Sequence, residues 1–578
     1  MATVAENLID TLVANGVERM YGISGDSLNG ITEAIRQHEG IAWVPVRHEE
    51  SAAFAAGAEA EMSGTLSVCA GSCGPGNLHL INGLYDAQRN RVPVLAIAAH
   101  IPTAEIGTEY FQETRPQDLF RECSVYCEYV ASPEQMPRLL RIAMRAAVEQ
   151  RGVAVLVIPG DVALADIPSN EVTVVTATQS STTPAPVQIQ QAADALNAAS
   201  SVTILGGAGT KDAHTQVRAL AKRLSAPVVH ALRGKEYLEP DNPYDVGLTG
   251  LLGFASGYQA MQDADALLLL GTDFPYPQFI PEKNTVIQVD IRGEHIGRRY
   301  PVDIALRGDV KSTVDALLPH LDAKGDKHLK AARKQYEKSR AQLDDVATPE
   351  PDGVDIHPQY LTRVLDQIAP DDAVFIPDVG SPVMYAARYL TMNGKRRLIG
   401  SFSHGTMANA LPQSLGVLSH DRTRPTVAMC GDGGLSMLLG ELLTVAQQKL
   451  PVKMVVYNNS SLNFVELEMK AAGIVNHATD LENPNFAALA QAVGITGIRV
   501  ENSGDVEAAL REAFAHEGPV LVDVVTARHE LSMPPTITAE QAKGFTLYAI
   551  RTVLSGRGDE LIDLAATNKR RLFPSRKK

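Results

Sequence analysis

Two polar segments of the chain carry residue types that could bind a metal ion beside a phosphate group. Gly431-Asp432-Gly433 follows one apolar run and Asn459 follows the next, with 26 residues between Asp432 and Asn459. Because parallel strands end at a shared sheet edge, the carboxylate and the amide oxygen are expected to lie close together. Glycines let backbone approach a phosphate, and hard oxygen ligands suit Mg²⁺. The alternative is a turn at a helix start followed by an unrelated Asn-Asn loop.

Glu49 is a further residue with chemical potential. It follows an apolar run at residues 42–47 and opens a segment made largely of alanine and glycine. Burying a carboxylate at such a place costs several kcal/mol unless a partner group pairs with it or forms hydrogen bonds to it. The alternative is an ordinary acid at a helix start, where the helix dipole favours negative charge.

Three blocks of alternating strand and helix patterns must position these residues, which predicts α/β domains with doubly wound parallel sheets. Segments rich in Thr, Ser and Pro separate them and predict domains at 1–170, 185–345 and 359–528, followed by a tail at 529–578. In the first block, runs at 93–99 and 154–159 are expected to complete the strand set. Single helical stretches are predicted at 311–345 and 435–448.

The middle block has the pattern of a nucleotide-binding domain. Glycines end its first strand at 206–209, and Asp290 ends a later strand, although the strict G-x-G-x-x-G fingerprint is absent. Loops at 250–253 and 273–276 could cover a flat ring. This block therefore predicts a nucleotide pocket.

Composition excludes some classes of function. The 578 residues are 45% apolar and 21% charged, with a formal net charge of -15, which argues against a nucleic-acid partner. No apolar run is long enough to span a bilayer, and the first residues lack a signal-peptide pattern. Five cysteines, two pairs of them in C-x₃-C spacing without nearby histidines, are expected to be reduced thiols in a cytoplasmic protein rather than zinc ligands.

The motifs together resemble the thiamine-diphosphate enzymes of the pyruvate oxidase and acetolactate synthase group. The resemblance rests on residues 47–58, on 71–77 and on Gly431-Asp432-Gly433 with Asn459, and it extends over the whole chain. Segments 79–84, 100–102, 110–114 and 544–548 are more similar to the quinone-linked pyruvate oxidases than to the synthases. The resemblance implies a pyrimidine-binding domain, a central FAD-binding domain and a diphosphate-binding domain.

The resemblance also implies an activity. Pyruvate would be oxidatively decarboxylated to acetate and CO₂ with thiamine diphosphate and Mg²⁺, and electrons would pass through FAD to a membrane quinone. Because the family builds each site from two chains, at least a dimer is implied, and a homotetramer is expected. The alternative is an acetolactate synthase-type carboligase. A non-catalytic thiamine-diphosphate-binding regulator is disfavoured because Glu49, Asp432 and Asn459 are all retained.

Residue roles follow from matching motifs. Glu49 would hydrogen-bond N1′ of the aminopyrimidine and favour the tautomer that deprotonates the thiazolium. Met407 would bend the cofactor, Gly405 would offer its carbonyl to the 4′ amino group, and Phe111 and Phe464 would lie near the thiazolium, with core packing as their alternative. The predicted metal ligands are Asp432, Asn459 and the Ser461 carbonyl.

The predicted cofactor sites are larger sets. The thiamine-diphosphate site comprises Glu49, Gly405, Thr406, Met407, Asp432, Gly433, Gly434, Asn459, Ser460, Ser461, Leu462, Asn463, Phe464 and Val465. The flavin site comprises Gly250, Leu251, Leu252, Gly253, Asp273, Phe274, Pro275, Tyr276, Pro277 and Asp290.

The tail predicts reversible binding to an anionic lipid surface. Leu561, Ile562, Leu564 and Ala565 recur at helical spacing, and six of the last ten residues are basic. At about 1 kcal/mol per basic residue near an anionic leaflet, the six supply a modest attraction. The family's tail binds lipid once pyruvate has reduced the flavin, so a peripheral position on the inner face of the cell membrane is expected. The alternative is a solvated basic tail.

Overall fold

Three six-stranded parallel sheets organise the chain, each with helices packed on its faces. The computed structural model describes residues 2–178, 180–528, 530, 539–554 and 559–568. Every strand pair within these sheets is parallel. The α/β class predicted from the alternating patterns is confirmed.

The first sheet has the strand order β2-β1-β3-β4-β6-β5. Its inner strands are continuous apolar runs because helices cover both faces. The elements are α1 (Val4–Ala14), β1 (Arg19–Gly22), α2 (Asn29–Gln37), β2 (Ala42–Pro45), α3 (Glu49–Ser63), β3 (Ser67–Gly71), α4 (Pro75–Asn90), β4 (Val94–His100), α5 (Pro116–Leu119), β5 (Tyr126–Tyr129), α6 (Met136–Gln150), β6 (Val153–Pro159) and α7 (Gly160–Leu164).

The central sheet has the order β12-β11-β10-β7-β8-β9, the arrangement of a Rossmann domain. Strands β7 to β9 are added towards one edge of the sheet and strands β10 to β12 towards the other. The helices that follow β7 and β10 therefore lie on opposite faces, which opens a crevice at the carboxyl ends of these two strands. The elements are α8 (Pro186–Ala198), β7 (Val202–Gly206), α9 (His214–Leu224), β8 (Val228–His230), α10 (Lys235–Leu238), β9 (Asp245–Leu248), α11 (Ala255–Gln262), β10 (Ala266–Leu270), β11 (Thr285–Asp290), β12 (Ile304–Arg307), α12 (Val310–Leu317) and α13 (Lys327–Val346).

The third sheet has the order β14-β13-β15-β16-β18-β17, which repeats the order of the first sheet. The elements are α14 (Pro358–Ile368), β13 (Val374–Pro377), α15 (Ser381–Tyr389), β14 (Arg397–Leu398), α16 (Ala410–His420), β15 (Thr426–Gly431), α17 (Asp432–Met437), α18 (Glu441–Gln448), β16 (Lys453–Asn458), α19 (Asn463–Ala471), α20 (Phe486–Ala492), β17 (Thr496–Val500), α21 (Val506–Ala515) and β18 (Val520–Val525). Helices α22 (Ala539–Leu554) and α23 (Asp559–Thr567) follow it.

Three element predictions were wrong in detail. The first sheet contains an additional strand, β5, that the sequence analysis did not predict. This edge strand is only half-buried and lacks a clear apolar run. The helix predicted at 435–448 is two helices, with α18 starting after Gly440. The stretch predicted at 311–345 is likewise broken into α12 and α13, since Pro319 interrupts the helical pattern.

The first and third domains share one apolar core, formed where α3 packs against α16. The small residues of α3 permit a close approach: a Cβ added to Gly416 would lie 2.0 Å from the Ala55 carbonyl oxygen. This packing fixes the first domain's residues around Glu49 relative to the third domain. Within the described residues, no helix combines the length and apolarity needed to cross a membrane.

Candidate active site

The metal and diphosphate motif lies at the carboxyl edge of the third sheet. Strands β15 and β16 are neighbours, and Gly431 pairs with Tyr457 at their ends. Asp432 is the first residue of α17 and is 3% exposed. Its Oδ2 accepts hydrogen bonds from the backbone amides of Asn459 (3.1 Å) and Ser460 (2.7 Å). The structure thus brings the two motif segments into contact.

A tight turn shapes the loop after β16. Ser460 adopts a left-handed backbone with φ of 54°, and Asn459 Oδ1 accepts a hydrogen bond from the Ser461 amide at 3.0 Å. The Ser461 hydroxyl donates to Glu466 Oε2 at 2.7 Å. Leu462 packs over Gly433, where an added Cβ would lie 2.8 Å from Leu462 Cδ2. Asn463, Phe464 and Val465 continue as the first turn of α19.

The loop carrying Met407 reaches the same edge. Met407 Cε would lie 3.3 Å from a Cβ added to Gly433, and Gly434 is walled by the Ala408 amide and the Asp378 carboxylate. Gly405 and Ala408 both have left-handed backbones, with φ of 81° and 67°. Because an alanine adopts that conformation only at a cost, the surrounding contacts must hold this loop in place.

Asp378 links these two loops and was given no role by the sequence prediction. Its Oδ1 accepts from the Ala410 amide at 3.0 Å and its Oδ2 from the Gly431 amide at 3.3 Å. Complete burial raises the pKa of the Asp378 carboxyl to about 7, although the backbone amides oppose the shift. The only sequence signal was its place at the end of β13, in the segment 378–380.

Glu49 is the first residue of α3 and is 6% exposed. Its Oε2 lies 2.9 Å from Nδ1 of His79, whose ring stacks on His48 at 4.3 Å between centroids. Gly76 faces the other oxygen, and a Cβ added there would lie 3.0 Å from Oε1. The expected burial of Glu49 at a helix start is observed, and its catalytic role stays a prediction.

Backbone and side-chain contacts join this region to the third domain of the same chain. Glu441 Oε1 accepts from the amides of Arg47 (3.0 Å) and His48 (3.1 Å), immediately before Glu49. Burial raises the pKa of the Glu441 carboxyl. Asn82 on α4 donates to the Thr406 hydroxyl at 3.0 Å, beside Met407. The α3 start and the Met407 loop are therefore both held at the interface of the two domains.

The two aromatic residues predicted near the cofactor differ in environment. Phe111 is 77% exposed, so core packing, the alternative considered for it, does not hold in this chain. Phe464 is half-buried on α19 and packs against the third domain's core, so packing explains at least part of its placement. Both stay predictions as catalytic residues.

The predicted flavin residues occupy the carboxyl edge of the central sheet. Residues 250–253 follow β9, residues 273–277 follow β10 and Asp290 ends β11. Phe274 and Tyr276 pack edge to face at 5.5 Å, and Asp273 pairs with Arg298, Arg299 and His295. These loops flank the crevice between β7 and β10, where a Rossmann sheet binds its ligand.

Comparison with protein families gives matches in all three domains. Residues 2–119 match the N-terminal TPP binding domain of thiamine pyrophosphate enzymes, residues 189–317 the central domain and residues 378–524 the C-terminal TPP binding domain. YdaP of Bacillus subtilis, provisionally named as a thiamine pyrophosphate-containing protein, is 34% identical to this chain. The match covers 98% of this chain and 99% of the length of YdaP. The chain belongs to the thiamine pyrophosphate enzyme family.

Other relatives in this family carry the names of two activities. A pyruvate oxidase of Lactiplantibacillus plantarum is 30% identical, covering 90% of this chain and 87% of its own. An acetolactate synthase of Mycobacterium bovis is also 30% identical, covering 90% of this chain and 88% of its own. The names of these two relatives therefore point to two different activities within one family.

The motif edge fits the Mg²⁺ of a thiamine pyrophosphate enzyme. Burial raises the pKa of the Asp432 carboxyl, and no cationic side chain in the described ranges offsets this. A buried carboxylate without a cation suits a metal ion. Among the described residues, no group of three or more His, Cys, Asp or Glu side chains is arranged to hold a metal ion.

The central crevice fits a dinucleotide such as FAD. Thr249 Oγ1 is buried next to the positive-φ turn at Gly250, and no described residue forms a hydrogen bond with it. Arg388 of the third domain donates to the carbonyls of Leu252 (2.9 Å) and Gly253 (3.4 Å), which fixes the loop predicted to cover a flat ring. An orphaned polar atom beside an anchored loop is compatible with a bound ligand.

Proposed function

We propose that this chain oxidatively decarboxylates pyruvate with thiamine diphosphate, Mg²⁺ and FAD, and transfers two electrons to a membrane quinone. In the balanced reaction, pyruvate, water and quinone give acetate, CO₂ and quinol. Water supplies the added oxygen of acetate, and the quinone takes up two electrons and two protons. When bound, the thiamine cofactor supplies the nucleophilic carbon and the electron sink that decarboxylation requires, and FAD supplies a two-electron acceptor.

The observation that carries the thiamine chemistry is the buried Asp432 carboxylate in contact with the Asn459 loop. It is 3% exposed, accepts two amide hydrogen bonds from that loop, and has no cationic partner among the residues described. Such a group fits an ion that joins protein to diphosphate.

Each of the chain's own groups has a defined task in this proposal. Asp432, Asn459 and the Ser461 carbonyl would hold Mg²⁺, and Met407 would support the bent cofactor. Glu49 would hold a proton at N1′ of the pyrimidine, where its burial strengthens the hydrogen bond. Phe111 and Phe464 would exclude water from the reacting carbon.

The oxidase assignment draws support from the central domain and from the name of one relative. The loops at 250–253 and 273–277 flank a Rossmann crevice, and a pyruvate oxidase is 30% identical over 90% of the chain. We also propose a cytoplasmic enzyme at the inner face of the cell membrane, bound to anionic lipid through its tail, and a homotetramer. The six basic residues of the tail lie within 569–578, outside the described residues.

An acetolactate synthase-type carboligase is the second candidate. The relative named acetolactate synthase matches with the same identity and coverage as the pyruvate oxidase. In that enzyme, a second keto acid would accept the two-carbon unit, and FAD would take no electrons.

One experiment separates the candidates. Purified protein is mixed anaerobically with pyruvate, thiamine diphosphate and Mg²⁺, and its visible absorption spectrum and products are recorded. The oxidase predicts loss of the flavin absorption and formation of acetate, and a quinone should restore the spectrum. Acetolactate with an unchanged flavin spectrum would support the carboligase. Absence of both products would contradict the assignment to pyruvate.

A further inference from the structure

Asn483 contacts the Asp432 carboxylate from outside the sequence motif. It lies between α19 and α20, and its Nδ2 donates to Asp432 Oδ2 at 2.8 Å and to Asn458 Oδ1 at 2.9 Å. Both amide hydrogens are thus used. The other donors to Asp432 are backbone amides of Gly433, Asn459 and Ser460, which belong to the motif loops themselves.

The contact is anchored in the third sheet. Asn458, the last residue of β16, is 4% exposed and donates from Nδ2 to Asp523 Oδ1 at 2.9 Å. Asp523 on β18 is fully buried, and its Oδ2 accepts from the Phe486 amide at 2.9 Å and pairs with Arg499 on β17. Asp523, Asn458 and Asn483 therefore form a continuous chain of hydrogen bonds from the sheet to Asp432.

The segment that carries Asn483 is also bonded to the predicted metal loop. The Leu462 amide donates to the Thr479 carbonyl at 2.8 Å, and the Leu481 amide donates to the Ser460 carbonyl at 3.0 Å. These bonds pass on either side of Ser461. Segment 479–483 is thus fixed relative to the Ser461 carbonyl as well as to Asp432.

We propose that Asn483, held by Asn458 and Asp523, is a positioning residue that fixes the rotation of the Asp432 carboxylate and so selects Mg²⁺ over Ca²⁺. This rests on the proposed function, which places Mg²⁺ at Asp432. Mg²⁺ requires near-octahedral ligands at about 2.1 Å, whereas Ca²⁺ accepts six to eight oxygens at about 2.3–2.6 Å, often with a bidentate carboxylate. The three donors to Oδ2, which are the Asn459 and Ser460 amides and the Asn483 side chain, oppose the rotation of the carboxylate that bidentate binding needs.

Ion titrations test the proposal. Mg²⁺ and Ca²⁺ are titrated separately into metal-free protein with thiamine diphosphate, and heat is measured by calorimetry. In Asn483→Ala the affinity for Mg²⁺ should fall by about 10- to 100-fold, the usual effect of removing an outer-shell partner. Affinity for Ca²⁺ should fall less, so the ratio of Mg²⁺ affinity to Ca²⁺ affinity should drop, by at most the factor lost for Mg²⁺. Asn483→Leu keeps a similar side-chain size but cannot donate, and it should lower the ratio too.

Asn485→Ala is the matched control. Asn485 lies two residues away on the same segment, and its side chain accepts from the Ala488 amide at the start of α20 without contacting Asp432. This variant should keep the wild-type ratio, and thermal unfolding of the metal-free variants should show the fold retained.

The outcomes separate this inference from the proposed function. An unchanged ratio of affinities in both Asn483 variants would overturn the positioning role. An equal loss of both ions, together with earlier unfolding of the metal-free protein, would also overturn it, because that pattern marks a purely structural residue. A wild-type protein that binds no Mg²⁺ would overturn the proposed function and this inference with it.

Discussion

The surroundings of Glu49 constrain the role of this buried acid. Its side chain is 8% exposed and lies 2.9 Å from His79, at the start of a helix whose next turns are largely alanine. A carboxylate placed there for the helix dipole alone would gain only about 0.3–1 kcal/mol, less than its burial costs. Burial of Glu49 therefore needs a partner beyond the helix dipole, and His79 provides one within the chain.

The first prediction concerns the proton that Glu49 is proposed to hold at N1′ of the pyrimidine. Glu49→Gln should retain the fold and the flavin but lower pyruvate decarboxylation by about 10²- to 10⁴-fold, because an amide cannot carry the proton at N1′. Steady-state rates and the flavin spectrum measure both effects. Glu50→Gln, on the neighbouring helix position, should lose much less activity. Near-normal turnover of Glu49→Gln would remove its assigned role.

A second prediction tests Asp432 as a metal ligand. Asp432→Ala should weaken Mg²⁺ and thiamine diphosphate together, since the ion joins the protein to the diphosphate. The loss should exceed the roughly 10- to 100-fold typical of outer-shell partners. Calorimetric titration of the cofactor in Mg²⁺ buffer measures it.

Asp421→Ala is a suitable control for that experiment, because among the described residues the Asp421 side chain accepts hydrogen bonds from its neighbour Thr423 alone. Its cofactor affinity should match the wild type. Unchanged affinity in Asp432→Ala would show that the Gly-Asp-Gly segment is an ordinary turn.

At the scale of elements, sequence patterns predicted the sheets well and their edges poorly. Buried strands such as β4 and β6 are continuous apolar runs, and this pattern alone predicts a strand. Edge strand β5, in contrast, is half-exposed and its pattern is set by its neighbour β6 rather than by its own composition. The break between α17 and α18 also depends on local geometry around Gly440 that apolar spacing does not report.

The candidate site shows the same division. Motif residues Asp432 and Asn459 could be found because they follow strong strands at a fixed spacing. Asp378 and Asn483 contact the same edge through bonds made possible only by the folded sheet, 53 residues before Gly431 and 51 residues after Asp432. No local pattern marks such long-range partners, so sequence reasoning missed their roles.

Helix α22 has a direct contact with the active-site helix α19. Lys470 of α19 lies 5.5 Å from the Tyr548 ring centroid, and Arg551 donates to the Gly473 carbonyl at 2.6 Å. Since α19 also carries Phe464, the tail lies against the helix that borders the proposed thiazolium site.

A third prediction tests the tail by truncation after Arg528. Activity with a water-soluble electron acceptor should survive, while activity with quinone in anionic vesicles should fall sharply. The full chain should co-sediment with vesicles only when pyruvate is present. A second truncation after Asn568 keeps α22 and α23 but removes the six basic residues, and it should weaken binding mainly to anionic vesicles. Equal sedimentation of full-length and truncated chains would contradict lipid binding.

At the scale of the whole molecule, the joint between the first and third domains contains a buried carboxyl group. Asp86 on α4 is 2% exposed, and its Oδ2 accepts from Gln413 on α16 at 2.8 Å. Its Oδ1 has no hydrogen-bond partner among the described residues. Burial raises the pKa of the Asp86 carboxyl from 3.8 to about 7, despite hydrogen bonds from Ser401 and Gln413 and the nearby charge of Arg233.

This shift predicts a pH dependence with a definite sign. Between about pH 4 and pH 7 the folded chain keeps the Asp86 proton and the unfolded chain loses it, so this group stabilises the fold fully below its unfolded pKa and loses that contribution as pH rises through about 7. Asp86→Asn stays neutral throughout. Its melting temperature relative to the wild type should therefore be highest near pH 8 and decline steadily towards pH 5. Thermal unfolding in buffers across this range measures the difference, with Asp212→Asn as an exposed control. A difference that stays constant with pH would mean that Asp86 is not protonated at this domain joint.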